Sequence, residues 1–253
     1  MAGPAHHQRM NNVDWAFNEA VARLLGAVLP VQCPGCGRWD ERLCDQCAAL
    51  ARGAVLPPRV GADRAGGGDG ADPLGVLALG AYEGELRRLI LAAKHSSRDD
   101  LRGFLLEAGR TLGAAAAREW EPAADVVVVP APSSWRRRLR GAGITCLIAE
   151  GVARGVLEVS RASGVPVRVR VVEALGLKPG ARSQSGRSSA QRRSGRSGAM
   201  RVRCPIGNAD RVLLVDDVVT TGATALEMRR CLPAASTMLC LACAEAPTAP
   251  SSV

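Results

Sequence analysis

Aromatic side chains are scarce in this 253-residue sequence. Phe, Tyr and Trp together make up 3% of the residues, whereas hydrophobic residues as a whole make up 47%. A core is therefore available, but its packing must rely on Val, Leu, Ile and Ala. The length suits one sizeable α/β domain with an appendage, or two small domains.

Long apolar segments are also missing. No run approaches the roughly 18 residues that a membrane-spanning helix needs. The first residues, MAGPAHHQRMNNVDW, are polar and lack the apolar segment of a signal peptide. The nine cysteines are an odd number, and four of them form two CxxC pairs, which is atypical of a secreted disulfide scaffold. We therefore expect a reduced, cytoplasmic protein with no membrane partner.

Acidic residues are absent from one basic stretch. Residues 178–203 contain one Lys and seven Arg but no Asp or Glu, and this stretch accounts for most of the net charge of +9. Such a surplus indicates affinity for phosphates, either those of a nucleic acid or those of a small ligand. Composition alone does not choose between them.

Strand-like and helix-like segments alternate along most of the chain, which predicts a mostly parallel sheet with crossover helices. Residues 57–73 are rich in Gly, Pro and Asp and predict a flexible linker. This linker divides an N-terminal part, residues 1–56, from an α/β domain, residues 74–246, and residues 247–253 are predicted to be a disordered tail. The predicted strands are 75–81, 125–129, 165–172, 211–215 and 237–242, and the predicted helices are 14–29, 44–52, 83–93, 99–118, 144–156 and 223–232.

Two closely spaced CxxC pairs predict a metal site. The segment CPGCGRWDERLCDQC has the spacing C-x2-C-x7-C-x2-C, which suits a structural zinc ion held by Cys33, Cys36, Cys44 and Cys47. The alternative is that these are unliganded thiols or a redox pair. The other five cysteines are interpreted as core residues, with Cys240 and Cys243 on opposite faces of a strand.

The segment VLLVDDVVTTGAT, residues 212–224, combines a buried strand, two carboxylates and a polar turn before a helix. The N–H groups of a helix N-terminus favour a phosphate, to which threonine hydroxyls can add donors. The carboxylates of Asp216 and Asp217 can accept hydrogen bonds from a vicinal diol, or help to hold magnesium. The pattern therefore predicts a site for a ribose 5-phosphate. The alternative is a strand end followed by a simple turn.

This segment resembles the phosphoribosyl-diphosphate binding signature of type I phosphoribosyltransferases. The resemblance implies that Asp216 and Asp217 contact the ribose hydroxyls, directly or through magnesium. It also implies a loop that wraps the 5-phosphate and consists of Val218, Val219, Thr220, Thr221, Gly222, Ala223 and Thr224.

The whole chain resembles the ComF family, the double-zinc-ribbon phosphoribosyltransferases related to competence proteins. The motifs CPGCG, LCDQC, YEGELRRLILAAKHSSRDDL, VPAPSSWRRRLRGAG and VDDVVTTGAT follow one another in the family's order. The resemblance implies a type I phosphoribosyltransferase-like fold with a small N-terminal zinc module. It also implies a diphosphate side formed by Lys94, Pro132, Ser133 and Arg140, and a mobile loop containing Arg182, Gln184 and Arg192.

Three functions follow from this resemblance. The first is an enzyme that uses phosphoribosyl diphosphate and magnesium to transfer the phosphoribosyl group to a nucleobase-type acceptor. The second is a non-catalytic protein that handles single-stranded DNA during DNA uptake in competence, with a competence-helicase-type partner. The third is a sensor of phosphoribosyl diphosphate.

Residues 140–144 depart from the family pattern, because they read RGAGI where the family has an RGFN-like run. The sequence also names no general base, since two of its three histidines lie in the N-terminal tail and His95 is more typical of a structural residue. The sequence thus supports ligand binding better than turnover.

Overall fold

The structure, a computed structural model, describes residues 31–55, 74–96, 98–120, 123–132, 143–178 and 198–244. The predicted helix 14–29, the whole of the linker 57–73 and the predicted tail 247–253 lie outside these ranges. The division of the chain into domains therefore stays a prediction, as does the cytoplasmic location. Within the described part of the chain, no helix has both the length and the apolar character needed to cross a membrane.

Five parallel strands form the central sheet, as the alternation of strands and helices predicts. Their order across the sheet is β1-β7-β6-β2-β3, and a separate antiparallel pair joins β4 to β5. The strands are β1 (Gly75–Ala81), β2 (Asp125–Pro130), β3 (Arg168–Val171), β4 (Leu175–Leu177), β5 (Met200–Val202), β6 (Arg211–Val219) and β7 (Thr237–Cys243).

The helices cover both faces of this sheet. They are α1 (Asp45–Ala49), which continues into a 3-10 turn (Leu50–Arg52), α2 (Gly84–His95), α3 (Asp99–Arg118), α4 (Ile144–Ala162) and α5 (Ala223–Cys231). Helix α4 runs six residues beyond its predicted end at 156 and stops just before Gly164, whose φ of 69° breaks a right-handed helix.

The sheet separates two hydrophobic cores, because successive side chains of a strand point to opposite faces. In β2, Val126 and Val128 pack with α2, α3 and α4, whereas Val127 and Val129 pack with α5 and the β4–β5 hairpin. All four valines are at most 1% exposed, which explains why β2 reads as an uninterrupted apolar run.

Helices α3 and α4 approach unusually closely through glycine. A Cβ atom added at Gly109 or Gly113 would lie 2.1 or 2.2 Å from a backbone oxygen of α4. One added at Gly151 or Gly155 would lie 2.2 or 2.0 Å from a backbone oxygen of α3. Glycine at these four positions therefore lets the two backbones touch.

The connections leave the two central strands in opposite directions. From β2 the chain passes through α4 to β3, whereas from the neighbouring β6 it passes through α5 to β7 on the other side. Such a reversal opens a crevice at the carboxyl ends of the two strands, which is where open α/β sheets bind ligands. Pro130, the last residue of β2, pairs in register with Val215 of β6, directly before the acidic pair.

Candidate functional site

The two carboxylates of Asp216 and Asp217 lie at the carboxyl end of β6, beside this crevice. Asp216 is buried, at 8% exposure, and its Oδ1 accepts a hydrogen bond of 2.8 Å from the backbone N–H of Asp217. Asp217 points to the face covered by α2, where its Oδ1 accepts a 2.8 Å hydrogen bond from the Nζ of Lys94. The structure thus joins a predicted ribose-binding residue to a predicted diphosphate-binding residue.

The predicted phosphate loop is a loop only at its centre: Val218 and Val219 are the last residues of β6, and Ala223 and Thr224 begin α5. Gly222 has φ 71°, in the left-handed region that favours glycine, and it precedes the first residue of α5. Its carbonyl accepts the N–H of Leu226 at 2.9 Å, which closes the first turn of the helix. As a glycine it offers no side-chain oxygen to the first N–H groups of α5. Thr220 is exposed and Thr221 half-buried, so both hydroxyls lie near the surface beside this helix end.

The chain segment after β2 forms the opposite side of the crevice. The N–H of Ala131 donates to the carbonyl of Val215 at 2.7 Å, and the hydroxyl of the buried Thr145 donates to the carbonyl of Ala131 at 3.0 Å. These bonds hold the backbone just before Pro132 against β6, at the residue that precedes the acidic pair. The sequence carries no signal of this role for Thr145, because a threonine in the first turn of a helix is common. The other predicted residues of this side, Ser133 and Arg140, lie outside the described residues.

The β4–β5 hairpin holds the two ends of the basic stretch, residues 178–203, against α5; this stretch is called the arginine-rich segment. In the β4–β5 pair the N–H of Lys178 donates to the carbonyl of Ala199 at 2.9 Å. The carboxylate of Glu227 on α5 accepts the N–H groups of Gly198 at 3.0 Å and Met200 at 2.9 Å. The segment between these ends contains the predicted mobile-loop residues Arg182, Gln184 and Arg192, which lie outside the described residues.

The buried role of Glu227 was not predicted from the sequence. It is 4% exposed, and Arg230, one helical turn later, donates to both of its oxygens at 2.9 Å. Burial alone would raise the pKa of Glu227, but the bonds from Arg230 and from the two backbone N–H groups outweigh it and lower the pKa to about 2. A Glu–Arg pair spaced by three residues looks like a surface pair, so the sequence carried no signal of burial.

The four sulfur atoms of Cys33, Cys36, Cys44 and Cys47 come together in one cluster, with all four within 4.8 Å of one another. The Sγ of Cys44 lies 3.7 Å from that of Cys33 and 3.5 Å from that of Cys36. Tetrahedral zinc with Zn–S bonds of about 2.3 Å would separate its sulfur ligands by about 3.8 Å. The cluster could therefore hold a zinc ion, as the spacing predicts.

The first CxxC pair lies in a tight turn that requires glycine. The N–H of Gly37 donates to the carbonyl of Cys33 at 2.9 Å, with φ 80° at Gly37. At Gly35 the constraint is space, because an added Cβ would lie 2.5 Å from the Sγ of Cys47.

The thiols of this cluster differ in acidity. Burial would raise the pKa of Cys33, but hydrogen bonds from the backbone N–H groups of Cys44, Cys36 and Gly35 lower it to about 6. Burial, reinforced by the neighbouring thiols, raises the pKa of Cys47. A cation would remove this difference by stabilising all four thiolates.

The cysteine cluster packs directly on the α/β domain. Cys33, Cys44 and Cys47 are each 1% exposed and belong to the same core as α2, α3 and α4. The Nε of Arg88, on α2, donates to the carbonyl of Gly35. Helix α2 therefore contacts the cysteine cluster through Arg88 and the acidic pair through Lys94.

Cys240 and Cys243 depart in part from expectation. Both are buried in the core beneath α5, as predicted, but the prediction that they point to opposite faces is wrong, because their Sγ atoms lie 3.5 Å apart. The alternation of β7 breaks at its end: the neighbours Leu241 and Ala242 both pack into the opposite core, which returns Cys243 to the side of Cys240. The hydrogen bond between the two thiols raises the pKa of Cys240 and lowers that of Cys243.

No protein-family model matches the chain, and no curated protein matches it. The parallel α/β sheet and the four-cysteine cluster are compatible with the resemblance to the ComF family, which therefore rests on the motifs themselves.

Proposed function

We propose that this protein binds phosphoribosyl diphosphate in the crevice between β2 and β6. One observation carries the proposal: Asp216, Asp217 and the loop before α5 lie together at the point where the chain connections reverse direction. A strand end with a simple turn, the plain alternative, does not account for a buried carboxylate beside a paired one at such a place.

Each part of the ligand has a matching group in this proposal. The 5-phosphate meets the loop from Val218 to Thr224, where the helix dipole and backbone N–H groups favour an anion. The two ribose hydroxyls donate to the carboxylates of Asp216 and Asp217. The diphosphate lies towards Lys94 and Pro132, with Ser133 and Arg140 on the same chain segment.

Magnesium belongs to this proposal as a companion of the ligand. Carboxylate oxygens suit it, but within the described residues only the four-cysteine cluster brings three or more metal-binding side chains together. The protein would thus supply one or two oxygens at the acidic pair, and ligand oxygens and water the rest. When bound, magnesium would neutralise charge on the diphosphate.

The reaction that suits this ligand is transfer of its phosphoribosyl group. A nitrogen of a nucleobase-type acceptor would form a bond to C1 of the ribose while the bond from C1 to the diphosphate oxygen breaks. The leaving diphosphate takes that electron pair, and the proton of the acceptor nitrogen passes to solvent. The protein's contribution is to fix the sugar through the acidic pair and the phosphate loop, and to stabilise the departing charge with cations such as Lys94.

Isothermal titration calorimetry with phosphoribosyl diphosphate and magnesium tests the proposal. We expect the wild type to bind, and Asp216→Asn/Asp217→Asn to lose at least about tenfold in affinity, since hydrogen bonds to charged groups contribute roughly 1.5–3 kcal/mol each. Glu158→Gln is a matched control, because it also removes a carboxylate charge but lies on the exposed face of α4. Absence of binding by the wild type would overturn the proposal.

A second candidate function is handling of single-stranded DNA, with a competence-helicase-type partner. The observation in its favour is the acid-free basic stretch, residues 178–203, which is tied at Gly198 to α5, the helix that begins at the predicted phosphate loop. Binding to the DNA backbone would weaken steeply with salt because it releases counterions. Titration of an oligonucleotide at several salt concentrations, with and without phosphoribosyl diphosphate, separates the two functions.

A further inference from the structure

The ion pair between Lys94 and Asp217 joins two residues that lie 123 positions apart in the chain. Its atoms are 2.8 Å apart, and the side chains are 22% and 14% exposed. A pair this sheltered is screened less by salt than a surface pair. It holds the cation of α2 directly on a carboxylate that the proposed function assigns to the ribose.

The helix that carries Lys94 is firmly fixed. Leu89 and Ile90 are fully buried, Ala93 is 1% exposed, and Arg88 ties α2 to the cysteine cluster. Any change of partner at Lys94 must therefore be a movement of its own flexible side chain. The lysine ammonium suits such a movement, because it is a compact charge with three donors and no fixed geometry.

The neighbouring cations have other partners. Arg87 lies over the ring of Tyr82 at 5.7 Å, and Arg98, before α3, pairs with Asp100. Among the described cations of this region, Lys94 is the one directed at the acidic pair.

We propose that Lys94 exchanges partners when ligand binds, and that this exchange makes the site select sugar phosphates that carry a diphosphate. In the empty site Asp217 holds the ammonium. A ligand with a diphosphate offers the ammonium a new anion and so frees Asp217 for the ribose hydroxyls. A ligand without one, such as ribose 5-phosphate, must compete with Lys94 for the same carboxylate. This inference rests on the proposed function.

The test compares two ligands on three proteins by calorimetry at one magnesium concentration. The ligands are phosphoribosyl diphosphate and ribose 5-phosphate, and the proteins are the wild type, Lys94→Gln and Arg87→Gln. We expect Lys94→Gln to bind phosphoribosyl diphosphate at least about tenfold more weakly, because a charge-assisted bond is lost. Ribose 5-phosphate should bind to it equally well or more tightly. Arg87→Gln, with the same charge change on the same helix, should retain the wild-type preference.

The outcomes separate the two claims. If the wild type binds neither ligand, the proposed function falls and this inference with it. If the wild type binds but Lys94→Gln weakens both ligands by the same factor, Lys94 merely supports Asp217 and the exchange is overturned while the proposed function stands. An unchanged affinity for phosphoribosyl diphosphate overturns it equally. Circular dichroism and thermal melting of each variant establish that it is folded, and Lys94→Arg should restore part of the preference.

Discussion

At the scale of single residues, Glu227 shows how a buried charge can organise distant parts of the chain. Its carboxylate joins α5, which begins at the predicted phosphate loop, to the residues where the arginine-rich segment returns to the fold. Three donors, two backbone N–H groups and one arginine, compensate for its burial. Such a group stabilises the fold only while it is ionised.

Glu227→Gln should therefore destabilise the protein in a pH-dependent way. The folded-state pKa of about 2 lies below the ordinary value of 4.5, so the contribution is complete above pH 4.5 and disappears as pH falls towards 2. We expect a loss of about 3 kcal/mol in the free energy of unfolding at pH 7. Urea unfolding of both proteins at pH 7 and pH 3.5 measures this difference. A difference that stays constant with pH would contradict the role of ionisation.

At the scale of elements, the contact between α3 and α4 depends on the absence of side chains. Gly113→Ala would place a Cβ 2.2 Å from the carbonyl oxygen of Val152, which forces the helices apart. We expect this variant to lose about 1–3 kcal/mol of stability, although alanine favours a helix intrinsically. Gly103→Ala lies on the same helix with nothing within 4 Å of the added atom, and it should gain up to about 1 kcal/mol. If the close contact exists, denaturant unfolding should show a lower free energy of unfolding for Gly113→Ala and a higher one for Gly103→Ala than for the wild type.

Most strands and helices could be predicted from the sequence because local patterns determine them. The apolar run DVVVV predicted the bounds of β2, and the periodic leucines predicted those of α2, each to within a few residues. The β4–β5 hairpin could not be predicted, because each strand has only three residues and arginines surround β5. Its formation depends on Leu175 and Met200 packing against α5, a contact between distant segments.

The same distinction applies to the candidate site, where some features could be predicted from the sequence and others could not. The acidic pair, the loop before α5 and the cysteine cluster are continuous motifs, so their residues could be named in advance. The pairing of Lys94 with Asp217 and the bond from Thr145 to Ala131 depend on how elements far apart in sequence meet. No periodicity or spacing carries that information.

At the scale of the whole molecule, α2 connects the cysteine cluster to the crevice. Its inner face packs on the core that contains Cys33, Cys44 and Cys47, and its last turn delivers Lys94 to Asp217. The cluster thus supports α2, the helix that contributes Lys94 to the candidate ligand site. Its turns are short, so a bound metal would supply much of their stability.

Removal of zinc should therefore weaken ligand binding at a distance. Without the metal, the four thiols lose the ion that holds them together and the turn at Gly35 loses its constraint, which loosens the contact with Arg88 on α2. We expect a zinc-selective chelator to lower the melting temperature by about 5 °C or more. It should also reduce affinity for phosphoribosyl diphosphate more than affinity for ribose 5-phosphate. The reason is that a loosened α2 displaces Lys94, which the proposal assigns to the diphosphate. Magnesium is kept constant throughout, and added zinc should restore both properties. A zinc-free protein with unchanged melting temperature and unchanged affinities would show that the cluster and the crevice are independent.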